Sequence, residues 1–105
     1  MYPDHKRRSK IQEKRTARDF GGITTPGSGN QWHSKADVKT PTELIECKTT
    51  TKASFTLKAS DLKKIQDQAL IEDRVPVFQV DFENDGVKCV VLSIYDYMRL
   101  RELWS

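Results

Sequence analysis

Residues 35–49 read KADVKTPTELIECKT. Two runs in this segment, residues 35–39 and 44–49, have the character of short β-strands. Between them lies Pro41, whose fixed φ suits the second position of a β-turn. The segment therefore predicts a β-hairpin with its turn centred between Pro41 and Thr42.

The predicted hairpin brings two carboxylates together. In a register centred on that turn, Asp37 lies directly opposite Glu46, and Lys48 shares a face with Glu46 because alternate residues of a strand point the same way. Directly opposed carboxylates repel each other and destabilise a sheet. A divalent cation between them would remove the conflict, and Mg²⁺ is commonly held by one or two carboxylates together with phosphate oxygens. Lys48 would supply positive charge to a scissile phosphate or to an attacking water.

This trio is the set of groups that metal-assisted hydrolysis of a phosphodiester requires. The alternative is an exposed hairpin whose charges are solvated, and a register slip of one residue would place the carboxylates on opposite faces. Cys47 points away from Glu46 and Lys48, so we interpret it as a small buried thiol and not as a nucleophile.

A first helix is predicted from Ser9, which forms a capping box with Gln12, to the stop signal Gly21-Gly22. Residues at spacings of four and seven on this helix share one face. That face carries Glu13, Ala17 and Phe20, so the pattern aligns a carboxylate with the two residues expected to be buried.

The rest of the chain predicts a short strand at 23–25, a second helix capped by Ser60 and ending before Pro76, a hairpin and a final helix from Ser93. The hairpin signal is Asn84-Asp85-Gly86 between the apolar runs 77–82 and 87–92. The order of elements is α, β, β, β, α, β, β, α. We therefore expect a single α/β domain with a central mixed β-sheet flanked by helices.

Length and composition exclude several classes of protein. The chain has 105 residues, the size of one domain, and 36% of them are hydrophobic. No apolar run is long enough for a bilayer span, and the N-terminal residues carry no secretion signal. We expect a cytoplasmic protein, in the host cytoplasm if a phage encodes it, with Cys47 and Cys89 as reduced thiols.

Positive charge is concentrated at the N-terminal end. Residues 1–18 contain seven Lys and Arg residues against two acidic ones, a net charge of +5 in a chain whose total is +3. Such a basic end on a near-neutral body indicates a polyanion partner, most often nucleic acid. The alternative is a solvated tail that aids solubility.

The combined pattern resembles the PD-(D/E)xK nuclease superfamily, and more closely its Holliday junction resolvases of phage and archaeal type. The resemblance spans about residues 9–83. It consists of the first-helix glutamate Glu13 and the Gly21-Gly22 helix end, followed by the segments Pro26-Gly27-Ser28-Gly29-Asn30, Lys35-Ala36-Asp37-Val38, Leu44-Ile45-Glu46-Cys47-Lys48 and Arg74-Val75-Pro76-Val77. Ala36 stands where the family motif has proline, and the gap from Asp37 to Glu46 is short.

The resemblance implies a restriction-endonuclease-like fold and Mg²⁺-dependent cleavage of branched DNA by a homodimer, with Mn²⁺ as a possible substitute. It implies that Asp37, Glu46 and Glu13 are metal ligands, that Lys48 is the catalytic lysine and that Ser28 lies near the scissile phosphate. Residues 1–8 would be a flexible basic tail and residues 9–105 a single nuclease domain. The predicted DNA-binding residues are Lys6, Arg7, Arg8, Lys10, Lys14, Arg15, Ser28, Asn30, Lys35 and Lys52.

The sequence leaves two other functions open. One is a nicking or repair endonuclease of the same fold, and the other is a DNA-binding module without catalytic activity. Trp32 either stacks on a base or packs under the loop. The apolar side of the last helix, at Tyr97, Leu100 and Trp104, belongs either to the core or to a dimer contact.

Overall fold

The computed structural model describes residues 4–25 and 36–104. Its elements follow the predicted order and form a small α/β domain with a five-stranded mixed sheet and three helices. They are α1 (Asp4–Phe20), β1 (Ile23–Thr24), β2 (Val38–Lys39), β3 (Glu43–Thr50), α2 (Ala59–Glu72), β4 (Val75–Phe82), β5 (Val87–Val91) and α3 (Ile94–Trp104). No helix in the described ranges is long and apolar enough to cross a membrane.

The strands lie in sequence order across the sheet, β1-β2-β3-β4-β5. All neighbours are antiparallel except β3 and β4, which run parallel over their full lengths. Parallel neighbours need a crossover connection, and α2 supplies it. The mixed sheet follows from this one crossover.

Helices α1 and α2 cover opposite faces of the sheet. One apolar cluster joins Ala17 of α1 to Ile45 of β3. A second cluster joins Leu44 of β3 to Ile65 and Ala69 of α2. Because neighbouring residues of β3 point to opposite faces, this strand is covered on both sides and forms the centre of the core.

Helix α1 begins at Asp4, five residues before the predicted start at Ser9, so residues 4–8 are helical and are not the flexible tail that the sequence predicts. Lys and Arg favour helix, and no signal between Asp4 and Ser9 stops one. An ion pair of 2.7 Å between Arg8 and Glu83 also ties this first part of the helix to the β4–β5 hairpin.

The buried face of α1 is more polar than predicted. Glu13 and Ala17 are buried, as expected, but Phe20 is 39% exposed, while Gln12 and Thr16 are buried. Gln12 does not form the predicted capping box; its Nε2 donates a hydrogen bond of 2.7 Å to the Lys48 carbonyl. Contacts with the sheet therefore outweigh the local capping preference.

The remaining helix and turn signals are mostly confirmed. Helix α1 ends at the predicted glycines, with Gly21 at φ +72°. Ser93 caps α3, since its Oγ accepts a hydrogen bond from the Asp96 N–H. Ser60 lies inside α2 and does not cap it; the helix starts after Lys58, which makes no side-chain cap.

Candidate active site

The predicted hairpin register is confirmed where β2 and β3 pair. Val38 lies opposite Ile45, and Lys39 lies opposite Leu44, as a turn centred after Pro41 requires. Strand β2 is shorter than predicted, because the backbone leaves the regular ladder before Val38. This is the place where the sequence puts the first acidic ligand.

Asp37 lies at the end of the ladder and is held there by hydrogen bonds, one of them from the Thr25 N–H to its carbonyl at 3.0 Å. Its N–H donates to the Ile45 carbonyl at 3.0 Å. Its Oδ2 accepts a hydrogen bond of 2.9 Å from the Cys47 N–H. The Asp37 carboxylate thus accepts a β3 hydrogen bond that a carbonyl of a neighbouring strand would otherwise accept. This contact holds Asp37 beside Glu46 and Lys48.

Glu46 and Lys48 share a face of β3, as predicted. The Lys48 Nζ lies 3.6 Å from Oε2 of Glu46. Cys47 points to the opposite face, where it is 6% exposed among the residues under α1. Burial, with a smaller contribution from the Asp37 charge, raises the pKa of the Cys47 thiol, so this thiol stays protonated and is a poor nucleophile.

The first-helix acid, Glu13, is 8% exposed. Burial raises the pKa of its carboxyl, and the charge of Asp37 raises it further. The charge of Lys10, on the preceding helical turn, opposes this rise in pKa. Its Nζ lies 3.8 Å from Oε1 of Glu13. Glu13 is therefore within electrostatic reach of Asp37, although the two residues are on different elements.

Glu46 has the larger perturbation of the two glutamates. Burial and, to a smaller extent, the charge of Asp37 raise the pKa of the Glu46 carboxyl to about 7, against the opposing charges of Lys48 and Lys64. The charge of Asp37 thus opposes the ionisation of both Glu13 and Glu46.

These residues fit a divalent cation by their chemistry. Carboxylate oxygens are the ligands that Mg²⁺ and Mn²⁺ prefer, and a cation near Asp37 would relieve the repulsion on both glutamates. They are not gathered into a ready ligand set: among residues 4–25 and 36–104, no group of three His, Cys, Asp or Glu side chains is arranged to hold a metal ion. Glu13 comes from α1 and Glu46 faces α2, which cover opposite faces of the sheet, so side-chain movement around Asp37 would have to complete the site.

Six of the predicted DNA-binding residues, all of them basic, are on α1, and they lie on more than one side of the helix. Lys6 and Lys10, four residues apart, lie on the same flank as Glu13. Arg8 and Arg15 lie on the other flank, where they line a cavity of about 230 Å³ with Lys88 of β5. Arg7 and Lys14 are exposed. Only the first pair is therefore placed toward the candidate site.

Other predicted DNA contacts are less well placed. Lys52 is exposed just beyond the end of β3, and its N–H donates to the Thr50 hydroxyl. Ser28, Asn30 and Lys35 lie outside the described residues, as do the loop predicted around them and Trp32.

The sequence did not point to α2 as a wall of this site. Asp61, Lys64 and Gln68 line a small cleft of about 80 Å³ together with Glu46 and Lys48. Their spacing of three and four residues marks one face of a helix. It gives no sign of which strand that face would meet, because the crossover of α2 over β3 is a tertiary feature.

Comparison with known proteins assigns this chain to no family. No protein-family model and no curated protein matches this chain.

The raised pKa of Glu46 makes the stability of the fold pH-dependent. The folded state favours the protonated Glu46 carboxyl. The contribution of this group to the free energy of unfolding is therefore complete below its ordinary pKa of 4.5 and is lost as pH rises through about 7. We expect the free energy of unfolding to fall between pH 5.5 and pH 8.5, in the absence of divalent cations, by at most about 2 kcal/mol from this group. Glu46→Gln should remove most of that dependence.

Urea unfolding of the wild type and of Glu46→Gln at both pH values measures this effect. Asp61→Asn, a carboxylate of the same cleft, is the matched control and should keep the wild-type pH profile. Parallel profiles for the wild type and Glu46→Gln would show that Glu46 is not held in an environment that opposes its ionisation.

Proposed function

We propose that this protein is a Mg²⁺-dependent, structure-specific endodeoxyribonuclease with a restriction-endonuclease-like fold, most closely a Holliday junction resolvase that acts in the cytoplasm. Its substrate would be branched DNA, with the four-way junction as the preferred form. Mn²⁺ would replace Mg²⁺. This proposal includes membership of the PD-(D/E)xK superfamily, which the sequence motifs indicate.

One observation carries the proposal. The carboxylate of Asp37 is fixed at the backbone of Cys47, between Glu46 and Lys48 on β3, and its charge acts on both Glu46 and Glu13. A partly buried set of repelling carboxylates next to a lysine costs stability, and such conflicts are typical of functional sites. A solvated hairpin would carry no such cost.

The residues would divide the chemistry between them. Asp37, Glu46 and Glu13 would hold the cation, which when bound supplies positive charge at the scissile phosphate and lowers the pKa of water. Lys48 would stabilise negative charge that develops on the phosphoryl oxygens or orient the attacking water. Lys6 and Lys10 would contact the DNA backbone on the Glu13 side of α1.

Cleavage of four-way, nicked and linear duplex DNA of the same sequence, side by side with Mg²⁺, tests this function. A resolvase cuts the four-way junction in preference to the other two. Preference for the nicked or linear duplex favours the repair or nicking endonuclease. Binding of all three without cleavage favours a DNA-binding module without catalytic activity.

The homodimer is part of the proposal, and α3 supports it. No residue of α3 is buried in the described chain. Its large apolar residues are all exposed, namely Ile94, Tyr95, Tyr97, Met98, Leu100, Leu103 and Trp104. So many exposed apolar residues on one helix are typical of interaction surfaces. The outer edge of β5 is the alternative contact.

We expect the wild type to sediment as a dimer at micromolar concentration and Leu103→Glu to sediment as a monomer, because a charge on α3 would be buried in the contact. Leu70→Glu is the matched control, since Leu70 on α2 and Leu103 are both 82% exposed. If Leu103→Glu and Leu70→Glu both sediment as dimers, α3 is excluded as the contact and the β5 edge is favoured. A monomeric wild type, both free and bound to the junction, would contradict the homodimer.

A further inference from the structure

A polar stripe on α2 faces the candidate active site and has no role in the chemistry assigned above. Asp61, Lys64 and Gln68 form this stripe, and Glu46 and Lys48 of β3 line the other wall of the same cleft. The cleft therefore presents two lysines from opposite walls. One of them, Lys48, is already assigned to the scissile phosphate.

Lys64 differs from Lys48 in what it contacts. The Lys48 amine is 3.6 Å from the Glu46 carboxylate, whereas the ion pairs within 4 Å in the described part of the chain do not include Lys64. Lys64 nevertheless lies close enough for its charge to lower the pKa of Glu46. Its side chain is exposed to solvent, so an incoming anion can reach it.

Lys64 can attract an anion with or without a cation at Glu46. Lys48 is paired with Glu46, which leaves Lys64 and Asp61 as the other charged residues of the cleft. A divalent cation at Glu46 would add positive charge to the same cleft. Positive charge focused in a cleft attracts the phosphates of nucleic acid.

We propose that Lys64 forms a phosphate subsite, which binds a phosphodiester of the DNA strand next to the one that is cut. The inference rests on the proposed function. It adds a contact from α2, the crossover helix, to a site otherwise built from α1, β2 and β3. Lys64 would bind and align the strand and take no part in the bond cleavage itself.

The test measures DNA affinity in EDTA, where neither cleavage nor metal binding contributes. The probe is a fluorescein-labelled four-way junction, and affinity is followed by anisotropy over a range of salt concentrations. The variants are Lys64→Ala, Lys64→Arg and Lys63→Ala. Lys63 is the matched control because it is the neighbouring lysine of α2, is also exposed and does not line the cleft.

We expect Lys64→Ala to reduce the slope of log K against log salt by about 0.9, the value of one lost phosphate contact. The affinity of the wild type relative to Lys64→Ala should therefore be about eightfold greater at 0.1 M salt than at about 1 M salt. Lys64→Arg should keep the wild-type slope, and so should Lys63→Ala. Thermal unfolding of Lys64→Ala should match the wild type, since Lys64 is a surface residue.

The outcomes separate the two proposals. Equal slopes for Lys64→Ala and the wild type, or equal losses for Lys64→Ala and Lys63→Ala, would overturn the subsite and leave the nuclease proposal untouched. Absence of any salt-dependent DNA binding by the wild type would overturn the nuclease proposal, and the subsite with it.

Discussion

Asp37→Asn and Glu46→Gln are each expected to abolish DNA cleavage while DNA binding is retained. Loss of groups that only support a metal ligand already costs up to about 100-fold in affinity or activity, so loss of a ligand charge should cost more than that. The Asn side chain can still accept the hydrogen bond that Asp37 accepts from Cys47. The fold should therefore survive the change.

Single-turnover cleavage of a labelled junction in Mg²⁺ measures this loss, and anisotropy in EDTA measures binding. Asp61→Asn is the control, because Asp61 is a carboxylate of the same cleft without a proposed ligand role. Wild-type cleavage by Asp37→Asn or by Glu46→Gln would remove that residue from the metal site.

Lys48→Ala is expected to lower the single-turnover rate by about 10²–10³-fold, the usual cost of removing one preorganised charge-stabilising group. Metal affinity should stay the same or rise, since the variant removes a positive charge 3.6 Å from a metal ligand. The Mg²⁺ dependence of the rate distinguishes the two effects.

The control for Lys48 is Lys63→Ala, which removes an exposed lysine of α2 that does not line the cleft and should keep the wild-type rate. A Lys48→Ala rate that recovers at high Mg²⁺ concentration would mean that Lys48 acts on metal binding. A normal rate at all concentrations would remove Lys48 from the mechanism.

Local signals predicted much of this fold because they act over a few residues. Pro41 fixes the turn and thereby the register that places Asp37 beside Glu46 and Lys48. The Asn84-Asp85-Gly86 turn likewise fixes the β4–β5 hairpin, and Ser93 caps α3 through its contact with Asp96.

The differences arise where distant residues meet. The early part of α1 is tied to the β4–β5 hairpin by the ion pair between Arg8 and Glu83, and Gln12 binds the Lys48 carbonyl in place of a local cap. Neither partner can be identified from spacing. The same holds for Lys64, whose place in the candidate site depends on how α2 crosses β3.

Cleavage of a four-way junction in Mg²⁺, in EDTA, and in EDTA followed by excess Mg²⁺ tests the central claim most directly. A protein that uses Asp37, Glu46 and Glu13 to hold a catalytic cation should cut the junction into paired duplex products in the first and third conditions and leave it intact in the second. Cleavage in EDTA, or an intact junction in Mg²⁺ despite tight binding, would contradict the account.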